Sequence, residues 1–217
     1  MLESGDVRLR PITQDDRHTW RRVRQVNATW LRRWDATAPS TSQGQTSQVQ
    51  PRSFAAMVRQ MRREARAGRQ LPFVVEHQGR FVGQLTISNV VRGSAQFASV
   101  GYWIDEAYAG RGITTRAVAM AVDHCFGPVG LHRVEVAIRP ENRASLRVVE
   151  KLGIREVGYA PRFLHIDGDW RDHRLFAITA EEVPHGLLAR LDDARFPGDV
   201  QGPRHAAPER DSQQSQE

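Results

Sequence analysis

Gly110-Arg111-Gly112 stands between an apolar run with strand character, Ala98–Ile104, and a helix-like run, Ile113–Phe126. A glycine turn that opens a helix leaves the first backbone N–H groups, here from Gly110 to Thr115, unpaired at the positive end of the helix dipole. That is a site suited to phosphate. Gly110 and Gly112 have no Cβ, so an anion can approach the main chain closely, and Arg111 and Arg116 add charge nearby. A strand–turn–helix connection that needs glycine for geometry alone would read the same way.

Arg139-Pro140-Glu141-Asn142-Arg143-Ala144-Ser145 is a second polar turn of this kind, running from a strand pattern (Arg133–Ile138) into a helical one (Ala144–Leu152). Strand ends in such sheets are where ligands bind, so the two turns are expected to be neighbours. Asn142 and Ser145 are also favoured helix-capping residues, and that use stays open. Four residues on strands or strand ends are candidates for a general base: Glu76, Tyr102, Asp105 and Glu135. His132 and His165 read as structural or exposed. No His, Cys or Asp cluster has metal-ligand spacing, so no metal is expected.

The elements that must position these turns follow from patterning. Val7–Ile12 alternates as a strand, and Thr13 with Asp16 makes a helix-start signature. Asp16–Trp34 has a helical apolar face (Trp20, Val23, Val26, Trp30, Leu31) studded with arginine. Residues 38–51, rich in Ser, Thr and Gln, read as a mobile loop. Ser53 caps a helix ending near Gly68, and Leu71–Glu76, Arg80–Val90 and the run ending at Asp105 form a three-strand meander. Gly153 closes the Ala144–Leu152 helix. Glu156–His165 and Trp170–Thr179 flank Asp167-Gly168 as a hairpin. This order implies one α/β (α+β) domain around a mixed sheet, residues 1–180. A C-terminal helix within 181–195 and a disordered tail, 196–217, follow it.

Of the 217 residues, 40% are hydrophobic and 26% charged, which fits a folded globular protein and neither a disordered nor a membrane one. No apolar run reaches the ~20 residues needed to span a bilayer. The polar, acidic start (Glu3, Asp6) is unlike a signal peptide, and the single cysteine, Cys125, precludes an internal disulfide. A cytoplasmic protein is the expectation, and the Asn27-Ala28-Thr29 sequon then carries no meaning. The formal charge of +6 is almost wholly arginine, since Lys151 is the only lysine. Arg21-Arg22, Arg32-Arg33 and Arg62-Arg63 read as solvated faces or as a rim for an RNA-rich partner or an acidic peptide.

Taken together, these phrases resemble the GNAT superfamily of acyl-CoA-dependent N-acetyltransferases. Three phrases look most like its RimJ/RimL-type branch, which acetylates ribosomal-protein N-termini: Asn142-x-x-Ser145-x-Arg147-Val148-Val149-Glu150-Lys151-Leu152-Gly153-Ile154, Gly101-Tyr102-Trp103-Ile104-Asp105, and Trp170-Arg171-Asp172-His173. The family's phosphate signature, Gln/Arg-x-x-Gly-x-Gly/Ala, falls on Ala109–Thr114 and departs at both ends, with Gly112 kept. The resemblance implies a mostly antiparallel sheet flanked by helices, and acetyl-CoA as cosubstrate. Gly110, Arg111, Gly112, Ile113, Thr114 and Thr115 would then hold the pyrophosphate. Ile104 and Asp105, at a splayed strand end, would bond the pantetheine, together with Asn142. A tyrosine acid that many relatives carry is replaced here by Val149, and the resemblance offers Ser145 as the donor to sulfur; Tyr102, one of the base candidates, is the other catalytic candidate. A protein N-terminal α-amine is the implied acceptor, with nucleic acid met only through the ribosome. A small amine (a polyamine or aminoglycoside), or a catalytically weak acyl-CoA- or ribosome-binding protein, are the alternatives.

Overall fold

Burial alternates along most strands as the sequence does, and where it stops alternating the strand is covered on both faces. β3 (Leu71–His77) is buried from Pro72 to Glu76, which places it inside a sheet with helices on either side. The computed structural model describes residues 1–39 and 53–193. Its other strands are β1 (Leu2–Ser4), β2 (Val7–Pro11), β4 (Arg80–Val91), β5 (Phe97–Ile104), β6 (Arg133–Ile138), β7 (Arg155–Ile166) and β8 (Asp169–Thr179). The helices are α1 (Arg17–Val26), α2 (Ala28–Arg32), α3 (Phe54–Arg66), α4 (Ile113–Phe126), α5 (Arg143–Lys151) and α6 (Leu187–Asp192). No described helix is long and apolar enough to cross a membrane.

The eight strands form one sheet in the order β1-β2-β3-β4-β5-β6-β8-β7. Every pair is antiparallel except β5 and β6, which α4 connects as a crossover. On one face α4 buries Ala117–Val122 and Cys125, and with α5 and α6 it covers Leu85, Val100, Val134 and Ile178. On the other face α1 and α3 place Trp20, Val23, Phe54 and Val58 over Val74 and Phe81.

The parallel pair is short, and this shapes the site. Only Phe97–Ser99 are in register with Arg133–Glu135, after which β5 and β6 diverge. From Val100 to Ile104 the β6-facing edge of β5 has no ladder partner among the described residues.

Several boundaries differ from the sequence reading. The helix expected over 16–34 is two, broken at Asn27. There the Asn27 side chain donates to Val23 O (2.9 Å) and to Asp105 Oδ1 (3.0 Å), and it accepts from Glu106 N (2.9 Å). Its side chain competes with the helical ladder and ties the break to the end of β5. Thr13 and Asp16 do form a capping box, but on a single 3-10 turn ahead of α1. β1 was not anticipated; its three residues pair with β2 through a turn at Gly5 (φ 53°). The C-terminal helix is shorter than 181–195 and follows a 3-10 turn at Ala180–Glu182. The loop over 38–51 lies for the most part outside the described residues, and the tail over 196–217 wholly so.

Candidate active site

Where β5 and β6 part, a cleft of about 400 Å³ opens in the middle of the sheet. One wall is the glycine turn and the first turn of α4 (Gly110, Gly112, Ile113, Thr114, Thr115). The floor is Gly101–Ile104 of β5, and the opposite wall is the head of α5 (Asn142, Ser145). The structure therefore brings the two polar turns together, and it gathers Tyr102, Ile104, Gly110, Gly112, Ile113, Thr114, Thr115, Asn142 and Ser145 around one space.

The helix heads on the two walls differ in a way that matters. α3 is capped by Ser53, which accepts from Ala56 N (3.2 Å), and α5 by Asn142, whose Oδ1 accepts from Ser145 N (3.1 Å). α4 has no side chain capping it. Its head is Gly112 at φ 78°, with Gly110 at φ 77°, both left-handed, and a Cβ built on either would meet nothing within 4 Å. Open space, unpaired N–H groups and the helix dipole thus coincide at the cleft. Arg147 and Lys151, one turn apart on α5, line the same end. Neither was singled out from sequence, although their four-residue spacing on the helix that Asn142 opens was a readable signal.

Asn142 serves as a cap and is still available to a ligand. Its Oδ1 is used by the helix, while its Nδ2 donates to no described residue. Across from Ser145, the Tyr102 hydroxyl is buried without a formed hydrogen bond. Burial pushes Tyr102 up to about 12, and the neighbouring Ser145 hydroxyl partly offsets that rise. Tyr102 is therefore a protonated hydroxyl near neutral pH, suited to donate and unsuited to act as a base.

The remaining candidates are elsewhere or otherwise engaged. The Asp105 carboxylate accepts from Ala107 N (3.1 Å) and from Asn27, so it shapes the loop after β5 and does not face the cleft. Arg111 stacks on Tyr108 (5.2 Å) over a second hollow behind the glycine turn. Arg116 is held by Asp192 and Ser4 (2.6 and 2.7 Å). Glu76 pairs with Arg10 (2.7 Å) and Glu135 with Arg133 (2.7 Å), both away from the cleft. His132 meets Glu181 (3.0 Å) and His165 meets Thr37 (2.8 Å). Cys125 is fully buried in α4, and burial pushes its thiol up to about 12, so it is inert.

The far mouth of the cleft belongs to the other face of the sheet. Trp30, Trp34 and Asp35 line it from α2 and the turn after it; Gln84 and Thr86 line it from β4, and Trp103 from β5. Gln84 is fixed by Trp20, whose Nε1 donates to Oε1 (3.1 Å). Asp35, the only carboxylate lining the cleft among the described residues, accepts two hydrogen bonds from Arg24. α2 and the segment after it are held to the final hairpin by Arg32–Asp167 (2.8 Å), by an Ala36–Ile166 bridge and by Thr37 N to His165 O (2.9 Å).

The sequence that builds this layout, a splayed parallel pair beside an uncapped glycine turn, lies within a known domain family. Residues 6–155 match the acetyltransferase (GNAT) domain. The chain belongs to the GNAT acetyltransferase family. Among solved structures, Mycobacterium smegmatis RimJ in complex with CoA-disulfide is 42% identical with a TM-score of 0.78, covering 85% of this chain and 87% of that one. An Escherichia coli ribosomal protein uS5 alanine N-acetyltransferase is 35% identical over 105 residues, 48% of this chain and 54% of that protein. An E. coli spermidine N(1)-acetyltransferase is 30% identical over 102 residues, 46% of this chain and 53% of that protein. The chain spans about half the length of these curated relatives. Set against the GNAT fold, the cleft is the gap between the parallel strands, entered from one face by way of the glycine turn and from the other past the tryptophans. Among the described residues no group of His, Cys, Asp and Glu converges as a metal site.

Proposed function

We propose that this protein transfers an acetyl group from acetyl-CoA to the N-terminal α-amine of a protein, with a ribosomal protein as the acceptor. One observation carries the reading: an uncapped, glycine-lined helix head and a splayed strand edge open into a single cleft that passes through to the other face of the sheet. The residues present fit the cosubstrate. Main-chain N–H groups from Gly110 to Thr115 would hold its pyrophosphate, and Arg147 and Lys151 would balance the charge. The free edge of β5 would take the pantetheine as an added strand, with Asn142 Nδ2 donating to its amide.

When bound, acetyl-CoA supplies an activated thioester. The amine nitrogen bonds to the acetyl carbon, the carbon–sulfur bond breaks, one proton leaves the amine and one reaches sulfur. β5 main-chain N–H groups would polarise the carbonyl, and Ser145 Oγ would donate to the departing sulfur, with Tyr102 behind it. Holding both reactants in line supplies most of the acceleration.

The choice of acceptor rests on what lines the cleft. Among the described residues lining it there is no histidine, and the one carboxylate is occupied by Arg24. An α-amine with a pKa near 7.7–8.0 is roughly one-third neutral at pH 7.5, whereas a lysine near 10.4 is neutral about once in a thousand molecules. A site without a free base suits the former. The RimJ and uS5-acetyltransferase relatives, by their names, support the same reading. The test is turnover with three acceptors: peptides with a free Ser, Ala or Thr terminus, the same peptides blocked and carrying an internal lysine, and spermidine. Acetylation confined to the free termini is expected. Equal or better turnover of blocked lysine peptides or spermidine overturns the assignment.

A further inference from the structure

Positive charge in this chain is localised. Residues 17–66 hold eleven arginines and two acidic residues, whereas the rest of the chain holds twenty basic and twenty-three acidic residues. A general preference for arginine codons would spread arginine evenly and would not remove acid from one region. The segment from Arg17 to Trp34 contains no acidic residue at all. Arg17, Arg21, Arg22, Arg59, Arg62 and Arg66 are exposed and form no ion pair with any described residue. Elsewhere pairing is common, as with Arg10, Arg116, Arg133, Arg155 and Arg174.

These six arginines share one surface. α1 and α3 lie side by side on the same face of the sheet, joined by Trp20 against Phe54 (5.4 Å between rings) and by Gln14 Nε2 to Ala55 O (3.3 Å). Their inward sides are apolar and packed on the same face of the sheet, so the exposed arginines of both helices are presented on that side of the molecule. α2, which carries Trp30 and Trp34 into the acceptor mouth, follows directly from α1.

We propose that the outer face of α1 and α3 docks the phosphate backbone of RNA and so brings an RNA-associated protein's N-terminus to the cleft; the choice of an RNA-bound acceptor rests on the ribosomal reading above. Guanidinium forks match phosphate oxygens and need no pocket. A peptide partner would need grooves for its side chains, and Val26 is the only large exposed hydrophobic residue on these two helices. Without aromatic platforms on this face, the contact reads backbone charge and not base sequence.

The test is binding of a short RNA duplex to the full chain, measured by fluorescence anisotropy with neither acetyl-CoA nor peptide present. Six phosphate contacts predict a log–log salt slope of about −5, or about 10³-fold weaker binding between ~50 and ~200 mM salt. Arg21→Gln, Arg22→Gln, Arg59→Gln and Arg62→Gln combined should flatten the slope by about 3 and weaken binding at least ~30-fold at low salt. The same variant should bind acetyl-CoA and acetylate a free peptide as the parent does, which shows that it is folded. Absence of duplex binding by the parent at low salt, undiminished binding by the variant, or equally tight binding of polyglutamate (the acidic-peptide outcome) would each overturn the proposal. None of these outcomes bears on peptide acetylation, so the two readings fail separately.

Discussion

Gly112 separates the cost of backbone strain from the loss of a ligand contact. At φ 78° any L-residue is strained, by about 1–2 kcal/mol for alanine. Nothing lies within 4 Å of where its Cβ would be, so no clash adds to that cost. A chain of this length should lose roughly 2–8 °C of melting temperature and stay folded. The new methyl group, however, occupies the space above the unpaired N–H groups of α4. Displacing one N–H contact to a charged phosphate costs about 1.5–3 kcal/mol, so Gly112→Ala should weaken acetyl-CoA binding about 10- to 150-fold by calorimetry. Gly93 is the matched control: its φ is 72°, its Cβ position is equally open, and it sits in the turn before β5, outside the cleft. Gly93→Ala should lower the melting temperature similarly and leave affinity alone. If Gly112→Ala binds acetyl-CoA as the parent does, or if both substitutions weaken binding equally, the main-chain phosphate site is wrong.

Ser145→Ala should lower kcat by about 10²-fold with little change in KM for acetyl-CoA, and Tyr102→Phe should lower kcat less than additively with it, because one hydroxyl acts through the other. Near-full kcat in Ser145→Ala would leave that residue as part of the α5 head only. Arg10 holds both Asp16 (2.6 Å) and Glu76 (2.7 Å), so Arg10→Leu leaves two largely buried carboxylates with only Thr13 N–H and a longer contact to Arg8 (3.9 Å), and should cost about 3–5 kcal/mol, read as a fall of roughly 10 °C in melting temperature. Asp16 also sets a pH dependence. Burial alone would raise its pKa, but the hydrogen bonds and charge of Arg10 and the Thr13 N–H outweigh burial and hold it below the ordinary value. A depressed folded-state pKa means this stabilisation is complete above the unfolded value, near 3.9, and is lost as pH falls from there through the folded value. Acid unfolding of Arg10→Leu should show a smaller loss of stability across that window than the parent does.

The parts of this fold that were legible were those written in local chemistry. Ser53 caps α3 as read, Gly153 ends α5 in the left-handed conformation (φ 63°), and the final hairpin turns at Asp167-Gly168 with both residues at positive φ. β1 escaped because three residues give no period to detect, and its pairing depends on β2. Of the candidate site, both polar turns could be read because glycine and capping residues mark helix starts. Their nearness followed from the rule that ligands gather at strand ends. The side chains of the far mouth of the cleft were not legible. Trp30 and Trp34 look in sequence like the apolar stripe of one long helix, and Gln84 and Thr86 like the polar half of an alternating strand. Their place in the cleft depends on the divergence of β5 from β6, which is a property of two strands together.

Asn27 shows why the helix reading failed and why the failure matters to function. A helix running unbroken from Asp16 to Trp34 would carry Trp30 and Trp34 onward along the axis of α1. Asn27 stops it by turning its amide onto Val23 O and onto Asp105, and it takes the Glu106 N–H in return. Asp105 in turn caps the 3-10 turn that leads into Gly110 and Gly112. One buried amide therefore sets the direction of α2 at the far mouth of the cleft and also fixes the loop that enters the proposed phosphate site. Nothing in the residues around Asn27 announces this. An Asn followed by Ala and Thr reads as a glycosylation sequon or an indifferent helix position, and its partner lies 78 residues away. The two ends of the cleft are thus linked through a hydrogen-bonded pair that does not itself line the cleft, and local sequence reading is blind to contacts of that range.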